Sequence, residues 1–250
     1  MSDYLMREDA PLTDGEWMRI DGAVVGTARQ FLIGRRFIEL KGPFGSGLEI
    51  VPVGTGERRT HIPVELFEAT FMLHWREMEA SRKSGLPLET GPAAQAAMAC
   101  ARLEDEMIFG KLIEAAENTV ELGDWTETDV ALGDVVSATE TLFAEGFIGP
   151  YAVVLSPSLY TQTQRVSRGM GRTVAKLIGE VAEGGLYRTQ ILQGDQGLVV
   201  ALGAYNLDLI VGQDLMTAYQ GNEGLDHSFR VLETLALRIK RSGAICVLEG

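Results

Sequence analysis

Apolar residues recur with helical spacing in two long stretches of the chain. The first, "PLTDGEWMRIDGAVVGTARQFLIG", opens on a capping-box pattern at Thr13 and Glu16 and has Gly34 where a helix would end. It predicts a helix over about residues 14–33. The second, "GPAAQAAMACARLEDEMIFGKLIEAAEN", is longer and starts at Pro92, which suits a first helical turn. It predicts a helix over about residues 92–117.

Between these helices the pattern changes twice. Residues 41–56, "KGPFGSGLEIVPVGTG", are rich in glycine, contain prolines and lack periodicity, which is typical of an extended, protruding loop. The following "VELFEATFMLHW" alternates apolar and polar positions, as a strand with one buried face does.

After residue 130, the predicted helices and strands alternate. A helix at about 134–145 leads into the strand "YAVVLS", and Ser156-Pro157 then caps a second helix. "TVAKLIGEVAEG" predicts a third helix, and "GLVVALG" and "LDLIVGQD" predict two more strands. The chain therefore combines helices and strands throughout.

Three adjacent acids, Glu104, Asp105 and Glu106, lie in "ARLEDEMIFG" within the second long helix. At 100° per residue, Glu104 falls on the apolar arc, Asp105 at its edge and Glu106 on the opposite side. Carboxylates that point three ways cannot share one substrate. We therefore interpret the stretch as part of a structural helix, with Glu104 as its one partly buried, hydrogen-bonded acid.

Composition and charge narrow the function classes. The chain has 250 residues, of which 46% are hydrophobic, enough for a core without disulfides or metal. Its net charge of −13 argues against a nucleic-acid partner, because phosphate binding needs clustered Lys and Arg. We see neither a signal peptide nor a long uninterrupted apolar window, so we expect a soluble, cytoplasmic protein with no membrane partner. Cys100 and Cys246 are predicted to be buried thiols.

Sequence motifs of known enzyme chemistry are missing or incomplete. "GMGRTV" has Val174 where a dinucleotide fingerprint needs glycine or alanine, and Gly110-Lys111 lacks the first glycine and the Ser/Thr of a phosphate loop. There is no G-x-S-x-G elbow and no H-E-x-x-H, and no ligand spacing relates His61, His74 and His227. We therefore predict no catalytic residue, no metal site and no enzyme activity.

The order of several segments is more informative than any single motif. These segments are "APLTDGEWMRID", "GRRFIELKGPFG", "ATFMLHW", "ARLEDEMIFG", "GFIGPYAVVLSPSLY", "LIVGQDLMTAYQG" and "FRVLETLALRI". Together they resemble the encapsulin shell proteins, also called linocin or bacteriocin-type proteins, over essentially the whole chain. The resemblance implies an α+β chain with the tailed-phage major capsid fold, assembled into an icosahedral compartment around a ferritin-like, hemerythrin or peroxidase cargo.

The resemblance also implies a division of the chain. An N-terminal helix and arm (1–41) would precede an extension loop (42–62) that reaches over a neighbouring subunit. Residues 63–130 would form a peripheral domain around the long helix, residues 131–215 an axial domain, and residues 216–250 would return to the peripheral domain. The loop is shorter than in typical members, which leaves the shell size and the strand pairing between subunits open.

A cargo-docking site follows from the same resemblance. In the family, a short C-terminal peptide of the cargo lies in a groove between the N-terminal helix and the peripheral strands, and its alternate residues would meet apolar and charged groups. The matching positions are Phe31, Arg35, Phe37, Ile38, Glu39, Phe229, Val231 and Leu235. The alternative is that the apolar members simply pack the helix on the sheet.

The resemblance implies a pore as well. The segment "RVSRGMGRTV" aligns with the loop that lines the five-fold pore, where Arg165, Arg168 and Arg172 would favour anions. Solvated arginines at the end of a helix are the alternative.

A flavin site is the remaining feature that some family members show. They stack a flavin on a tryptophan three residues after the leucine of a "TF-x-L" strand. Here Arg76 holds that place, and Trp75, one residue earlier, would point to the opposite face of a strand. We therefore predict no cofactor, with a flavin at Trp75 as the alternative.

Three functions are compatible with these features: a compartment shell, a phage capsid subunit of the same fold, and an enzyme, since some relatives carry a protease label. A phage capsid subunit commonly has a long arm before the fold, whereas the capped helix predicted here begins near residue 14. A protease needs a nucleophile–base pair, which the sequence does not offer. The sequence therefore favours the shell.

Overall fold

The computed structural model describes residues 3–54, 56, 59–167 and 169–250. Its α-helices are α1 (Asp14–Phe31), α2 (Trp75–Ser84), α3 (Gly91–Ala115), α4 (Thr128–Ala144), α5 (Pro157–Thr163) and α6 (Val174–Ala182). None of the helices described is both long and apolar enough to cross a membrane.

The strands form two larger sheets and a hairpin. They are β1 (Leu40–Lys41), β2 (Ile50–Val53), β3 (Thr60–Pro63), β4 (Glu65–Leu73), β5 (Asn118–Glu121), β6 (Tyr151–Leu155), β7 (Glu183–Arg188), β8 (Gln196–Ala201), β9 (Leu207–Glu223), β10 (Asp226–Ile239) and β11 (Ile245–Glu249). The four-stranded sheet has the order β1-β9-β10-β4, and the five-stranded sheet has the order β5-β11-β8-β6-β7. Strands β2 and β3 pair as the hairpin.

Helices α1 and α3 pack on the four-stranded sheet. The buried residues of α1 recur every three or four positions and so share one face: Trp17, Ile20, Val24 and Ala28. At the centre of this core, the Phe229 ring of β10 meets the Trp17 ring edge-on at 5.7 Å and stacks on the Phe71 ring at 5.2 Å. This shared burial, more than helix propensity, holds α1 against the sheet.

The five-stranded sheet is buried on both faces. All residues of β6 are buried, and alternate side chains belong to different cores: Val154 joins the core of the first sheet, whereas Val153 and Leu155 face α4 and α6. This explains the continuous apolar runs of its strands. Because β5 pairs in parallel with β11, strands from outside residues 131–215 complete the sheet that carries the predicted axial segment. The division of the chain into domains stays a prediction.

The β2–β3 hairpin lies in the segment predicted as a loop. It is attached to the first sheet, since Arg238 on β10 donates a hydrogen bond to the Pro52 carbonyl at 3.2 Å. Val51 is buried against Ile210 and Ala236 of that sheet. The segment therefore contains paired strands that are anchored to the first sheet.

Several element bounds differ from those that the sequence predicted. Helix α1 ends at Phe31 instead of residue 33, because the backbone N–H groups of Ile33 and Gly34 donate to the Asp105 carboxylate and not to helix carbonyls. Helix α4 begins at Thr128 instead of residue 134. The edge strands β5 and β7 were not predicted, since β5 has only four residues and β7 shows no clear alternation of buried and exposed positions.

Candidate functional site

Arg35, in the short helical turn Gly34–Arg36 after α1, lies at the centre of a cluster of charges. Its Nε and Nη2 donate to the Glu104 carboxylate of α3 over 2.7, 2.9 and 3.0 Å. Its Nη2 also donates to Glu233 Oε2 on β10 at 2.5 Å, and its Nη1 donates to Asp214 Oδ1 on β9 at 2.8 Å. The side chains of Glu104 and Glu233 are 0% exposed, whereas that of Asp214 is 60% exposed. We call these four residues the Arg35 cluster.

Burial and charge act against each other in this cluster. Burial raises the pKa of Glu233 to about 9, an effect that the charge of Glu104 strengthens and Arg35 opposes. Burial alone would lower the pKa of Arg35, but the hydrogen bonds and charges of the carboxylates raise it overall. Burial would raise the pKa of Asp214, yet its hydrogen bond with Arg35 holds that pKa below its usual range. The Arg35 guanidinium thus donates hydrogen bonds to three carboxyl groups.

The three adjacent acids on α3 point in different directions, as the helical geometry predicted. Glu104 is fully buried against Arg35, but it is not the only buried acid, and that prediction was wrong. Asp105 is also buried, at 3% exposed, and it accepts the two backbone N–H groups that follow the end of α1. Burial raises the pKa of Asp105 to about 7, although these two donors oppose the shift. Glu106 faces solvent and pairs with Arg102 at 2.8 Å.

The eight positions predicted for peptide docking do not line one open groove. Four of them are buried and offer almost no surface to a ligand: Ile38, Phe229, Val231 and Leu235. The Phe37 ring packs between Phe109 and Tyr187. Phe31 and Glu39 are exposed. The four buried residues pack the N-terminal arm and the sheet together, which was the alternative to peptide docking.

A cavity of about 310 Å³ lies between the C-terminal half of α1, the Arg35 turn, β1 and β9. Its apolar lining consists of Val25, Ala28, Leu32, Leu40 and Leu215, and its polar lining of Arg29, Arg35, Arg36 and Asp214. This is the groove-like site that lies between the N-terminal helix and strands of the first sheet. Of the residues that line this cavity, only Arg35 was predicted from the sequence as a site residue. Helical spacing from Val25 to Arg29 and Leu32 is the signal that could have found them.

A larger cavity, of about 670 Å³, lies where α1 and α3 face the end of β7 and the segment that follows it. Phe31 and Met98 line it, together with Tyr187 and Arg188, whose guanidinium lies 5.2 Å from the centre of the Tyr160 ring. Phe31 therefore faces a different cavity from the one that Arg35 and Leu40 line.

Two of the three predicted pore arginines have partners within the chain. Arg165 Nη1 donates to the Thr126 carbonyl at 2.9 Å, and Arg172 pairs with Glu180. Arg168 lies outside the described residues. The pore lining stays a prediction.

Trp75 is the first residue of α2, since β4 ends at Leu73. The prediction that Trp75 points to the other face of a strand was therefore wrong, because Trp75 lies in a helix and the two-residue period of a strand does not apply to it. Trp75 is 39% exposed, and the Arg76 guanidinium lies 5.5 Å from the centre of its ring. Flavin binding at Trp75 stays a prediction.

Within the described ranges, no group of three or more His, Cys, Asp or Glu side chains is placed to hold a metal ion. His74 pairs with Asp226 at 3.0 Å, and the Nδ1 of His227 lies 3.0 Å from a tyrosine hydroxyl. Cys100 and Cys246 are both buried, as predicted. Burial raises the pKa of the Cys246 thiol to about 11, and it also raises that of Cys100, so both stay protonated near neutral pH.

Solved structures define the fold class. A virus-like particle from Pyrococcus furiosus matches with a TM-score of 0.82 at 20% identity, over 93% of this chain and 99% of that chain. The capsid of Myoviridae phage XM1 matches with a TM-score of 0.57 at 11% identity, over 87% of this chain and 91% of that chain. The chain thus has the fold of tailed-phage major capsid proteins, as the resemblance implied.

Sequence relatives narrow this class to one family. The family model Linocin_M18, described as an encapsulating protein for peroxidase, matches residues 1–236. The type 1 encapsulin shell protein EncA of Myxococcus xanthus (strain DK1622) is 38% identical over 280 residues, covering 100% of this chain and 98% of that protein. The chain belongs to the family of encapsulating shell proteins, and its role is structural.

Proposed function

We propose that this chain assembles into a closed icosahedral compartment that encloses a cargo enzyme in the cytoplasm. The observation that carries the proposal is the full-length likeness to an encapsulin shell protein, on a capsid fold. The family description names a peroxidase as the encapsulated protein, which supports a peroxidase as one candidate cargo. Ferritin-like and hemerythrin cargoes are the other candidates that the resemblance implies.

Large apolar side chains on the surface favour contacts between copies. Ile50, the first residue of the hairpin, is 57% exposed, and Phe44, which precedes the hairpin, is 63% exposed. Phe143 and Ile148, next to the five-stranded sheet, are 58% and 64% exposed. Because exposed apolar side chains lie on two separate parts of the molecule, one copy can bind the next through different surfaces. A head-to-tail contact of this kind closes when successive rotations return to the start.

The cavity of about 310 Å³ is our candidate for docking the C-terminal targeting peptide of the cargo. Its apolar lining fits one or two aliphatic side chains, and the exposed Arg29 at its edge can donate to carbonyls of a bound peptide. A site of this size binds only weakly by itself. Retention would therefore depend on a cargo with several subunits, each carrying one peptide.

Size-exclusion chromatography with electron microscopy of the purified protein tests the assembly. We expect hollow, closed particles whose ultraviolet absorbance shows no nucleic acid. A monodisperse small oligomer under conditions that keep the chain folded would contradict the proposal.

A further inference from the structure

The Arg35 cluster contains more acid than base. Its one guanidinium comes from the turn after α1, and its carboxyl groups come from α3 (Glu104), β9 (Asp214) and β10 (Glu233). The other titratable or charged neighbours are Cys100 and Asp105 on α3, Arg36 on the turn and Arg29 on α1. Arg29 acts on Asp214, and Arg36 acts on Asp105. Arg35 is therefore the cation that both buried glutamates contact.

The hydrogen bonds of Arg35 are shared unequally between these two glutamates. Glu104 accepts from Nε on both oxygens and from Nη2. Glu233 accepts at Oε2 alone, from the same Nη2. The other oxygen of Glu233 has the Cys100 Sγ at 3.7 Å, a weak donor, and the Glu233 carboxyl also meets that of Glu104. Glu104 is thus well compensated as an anion, and Glu233 is not.

We propose that Glu233 carries a proton at neutral pH and donates it to Glu104, and that this proton locks the turn after α1 onto α3 and β10. Two carboxylates buried side by side against one guanidinium would repel each other in a medium that screens charge poorly. When the proton leaves, the repulsion returns and Arg35 can neutralise only one of them. The turn, which also lines the 310 Å³ cavity, is then released.

The pKa of about 9 for Glu233 sets the pH range over which this proton stays bound and the turn stays in place. An unfolded glutamate has a pKa of 4.5, so the folded state binds one more proton between pH 4.5 and about 9, and stability falls as pH rises through this range. The Asp105 carboxyl, with a pKa of about 7, causes a similar fall that is complete near neutral pH. At pH values above the pKa of Asp105, Glu233 lowers the folding equilibrium constant about tenfold per pH unit, until the pH reaches the pKa of Glu233.

Infrared spectroscopy of the full-length protein in D₂O, about one pH unit below the pKa of Glu233, detects the proton directly. We expect the C=O absorption of a protonated carboxyl group in the wild type. It should disappear in Glu233→Gln and also in Glu104→Gln, because either change leaves Arg35 with a single buried carboxylate beside the exposed Asp214. Glu106→Gln, on the exposed face of the same helix, is the matched control and should keep the band. A wild type without the band, or a band that survives both glutamine substitutions, overturns the proposal.

Hydrogen–deuterium exchange of residues 29–41 tests the release of the turn. After correction for the intrinsic effect of pH, exchange in the wild type should increase as pH passes about 9, while Glu233→Gln should stay protected. Should Glu233→Gln fail to fold, Glu104→Gln supplies the same comparison. Identical pH profiles in the wild type and the glutamine variants would rule out the proposed role of the Glu233 proton in holding the turn. Neither measurement needs cargo or a closed shell, so a negative result leaves the proposed compartment unaffected.

Discussion

The guanidinium of Arg35 donates to carboxylate oxygens on three separate elements, α3, β9 and β10. Two of these carboxyl groups are withdrawn from solvent. Removing one partner of a buried charge pair is costly mainly because the remaining charge is left without compensation. At the residue scale, the hydrogen-bond donors of Arg35 are therefore used within the chain, where they hold the turn after α1 in place.

Arg35→Ala should lower the free energy of unfolding by about 3–5 kcal/mol, since it leaves the buried Glu104 carboxylate without its cation and removes a hydrogen-bond donor to Glu233. Chemical denaturation of the purified chain is the measurement. Arg36→Ala is the control: its Nη2 donates to the Gln30 carbonyl at 2.9 Å, and its loss should cost about 1 kcal/mol. Equal stabilities for the two variants would contradict the role assigned to Arg35. A cargo test based on Arg35→Ala would confuse lost docking with lost folding.

At the element scale, contacts at both ends hold α1 in place. At its start, the backbone N–H of Thr13 donates to Glu16 Oε2 at 2.8 Å and the Thr13 hydroxyl accepts from the Glu16 N–H, and Arg82 of α2 pairs with Glu16. At its end, Asp105 of α3 accepts the N–H groups that would otherwise continue the helix. Gly34 allows this approach, because an added Cβ would lie 2.7 Å from Ile108 Cδ1.

Gly34→Ala should therefore destabilise the fold by about 1–3 kcal/mol through overpacking against α3. The double variant Gly34→Ala, Ile108→Val removes the nearest methyl group and should recover part of this loss. Gly22→Ala is the control, because a Cβ at Gly22 in α1 meets no atom within 4 Å and should gain up to about 1 kcal/mol from helix propensity. Thermal denaturation compares the variants. A Gly34→Ala protein as stable as Gly22→Ala would mean that α3 yields to the added methyl group.

Docking at the 310 Å³ cavity also belongs to the element scale, since α1 and β9 form its walls. The double variant Val25→Ser, Leu215→Ser should yield assembled particles with several-fold less cargo, because it removes apolar lining from both walls. Met18→Ser, on the same helix and 72% exposed outside the cavity, is the matched control. Mass spectrometry of particles co-expressed with their cargo measures the loading. Full loading of the double variant would place the docking site elsewhere.

At the scale of the whole molecule, α3 joins the two sheets. It packs on β4 and β10 of the first sheet and on β11 of the second. The β2–β3 hairpin lies against the first sheet, and an antiparallel bridge joins Val166 to Thr173 within the loop that is predicted to line the pore. Subunits related by rotation would repeat any charge on that loop around an axis.

The double variant Arg165→Glu, Arg172→Glu should slow the entry of small anionic probes into assembled shells and speed that of cationic probes. Arg165 should contribute the larger share, since it bonds a carbonyl whereas Glu180 already offsets the charge of Arg172. Arg102→Glu on α3 reverses one charge outside the loop, half of the change made in the double variant, and should alter neither rate. Stopped-flow measurements with encapsulated indicators compare the probes. Equal changes in the entry rates of anionic and cationic probes would show that the loop does not line the channel.

The sequence by itself determined the features that depend on neighbouring residues or on patterns spread along the chain. The capping box at Thr13 set the start of α1, Ser156 and Pro157 set the start of α5, and apolar runs gave β6 and β8. The order of segments identified the family, because each segment adds information that a single motif lacks. The buried state of Glu104 followed from the helical period alone.

Only the tertiary structure decided which residues meet. Arg35 and Glu233 are 198 positions apart, and they touch because the register of β10 against its neighbours brings Glu233 under the end of α1. The same packing buries Phe229, Val231 and Leu235, which sequence reasoning assigned to a peptide groove. Local patterns specify helices, strands and their apolar faces. Which face meets a ligand and which meets another element depends on long-range contacts, and these form only when the sheets and helices pack together.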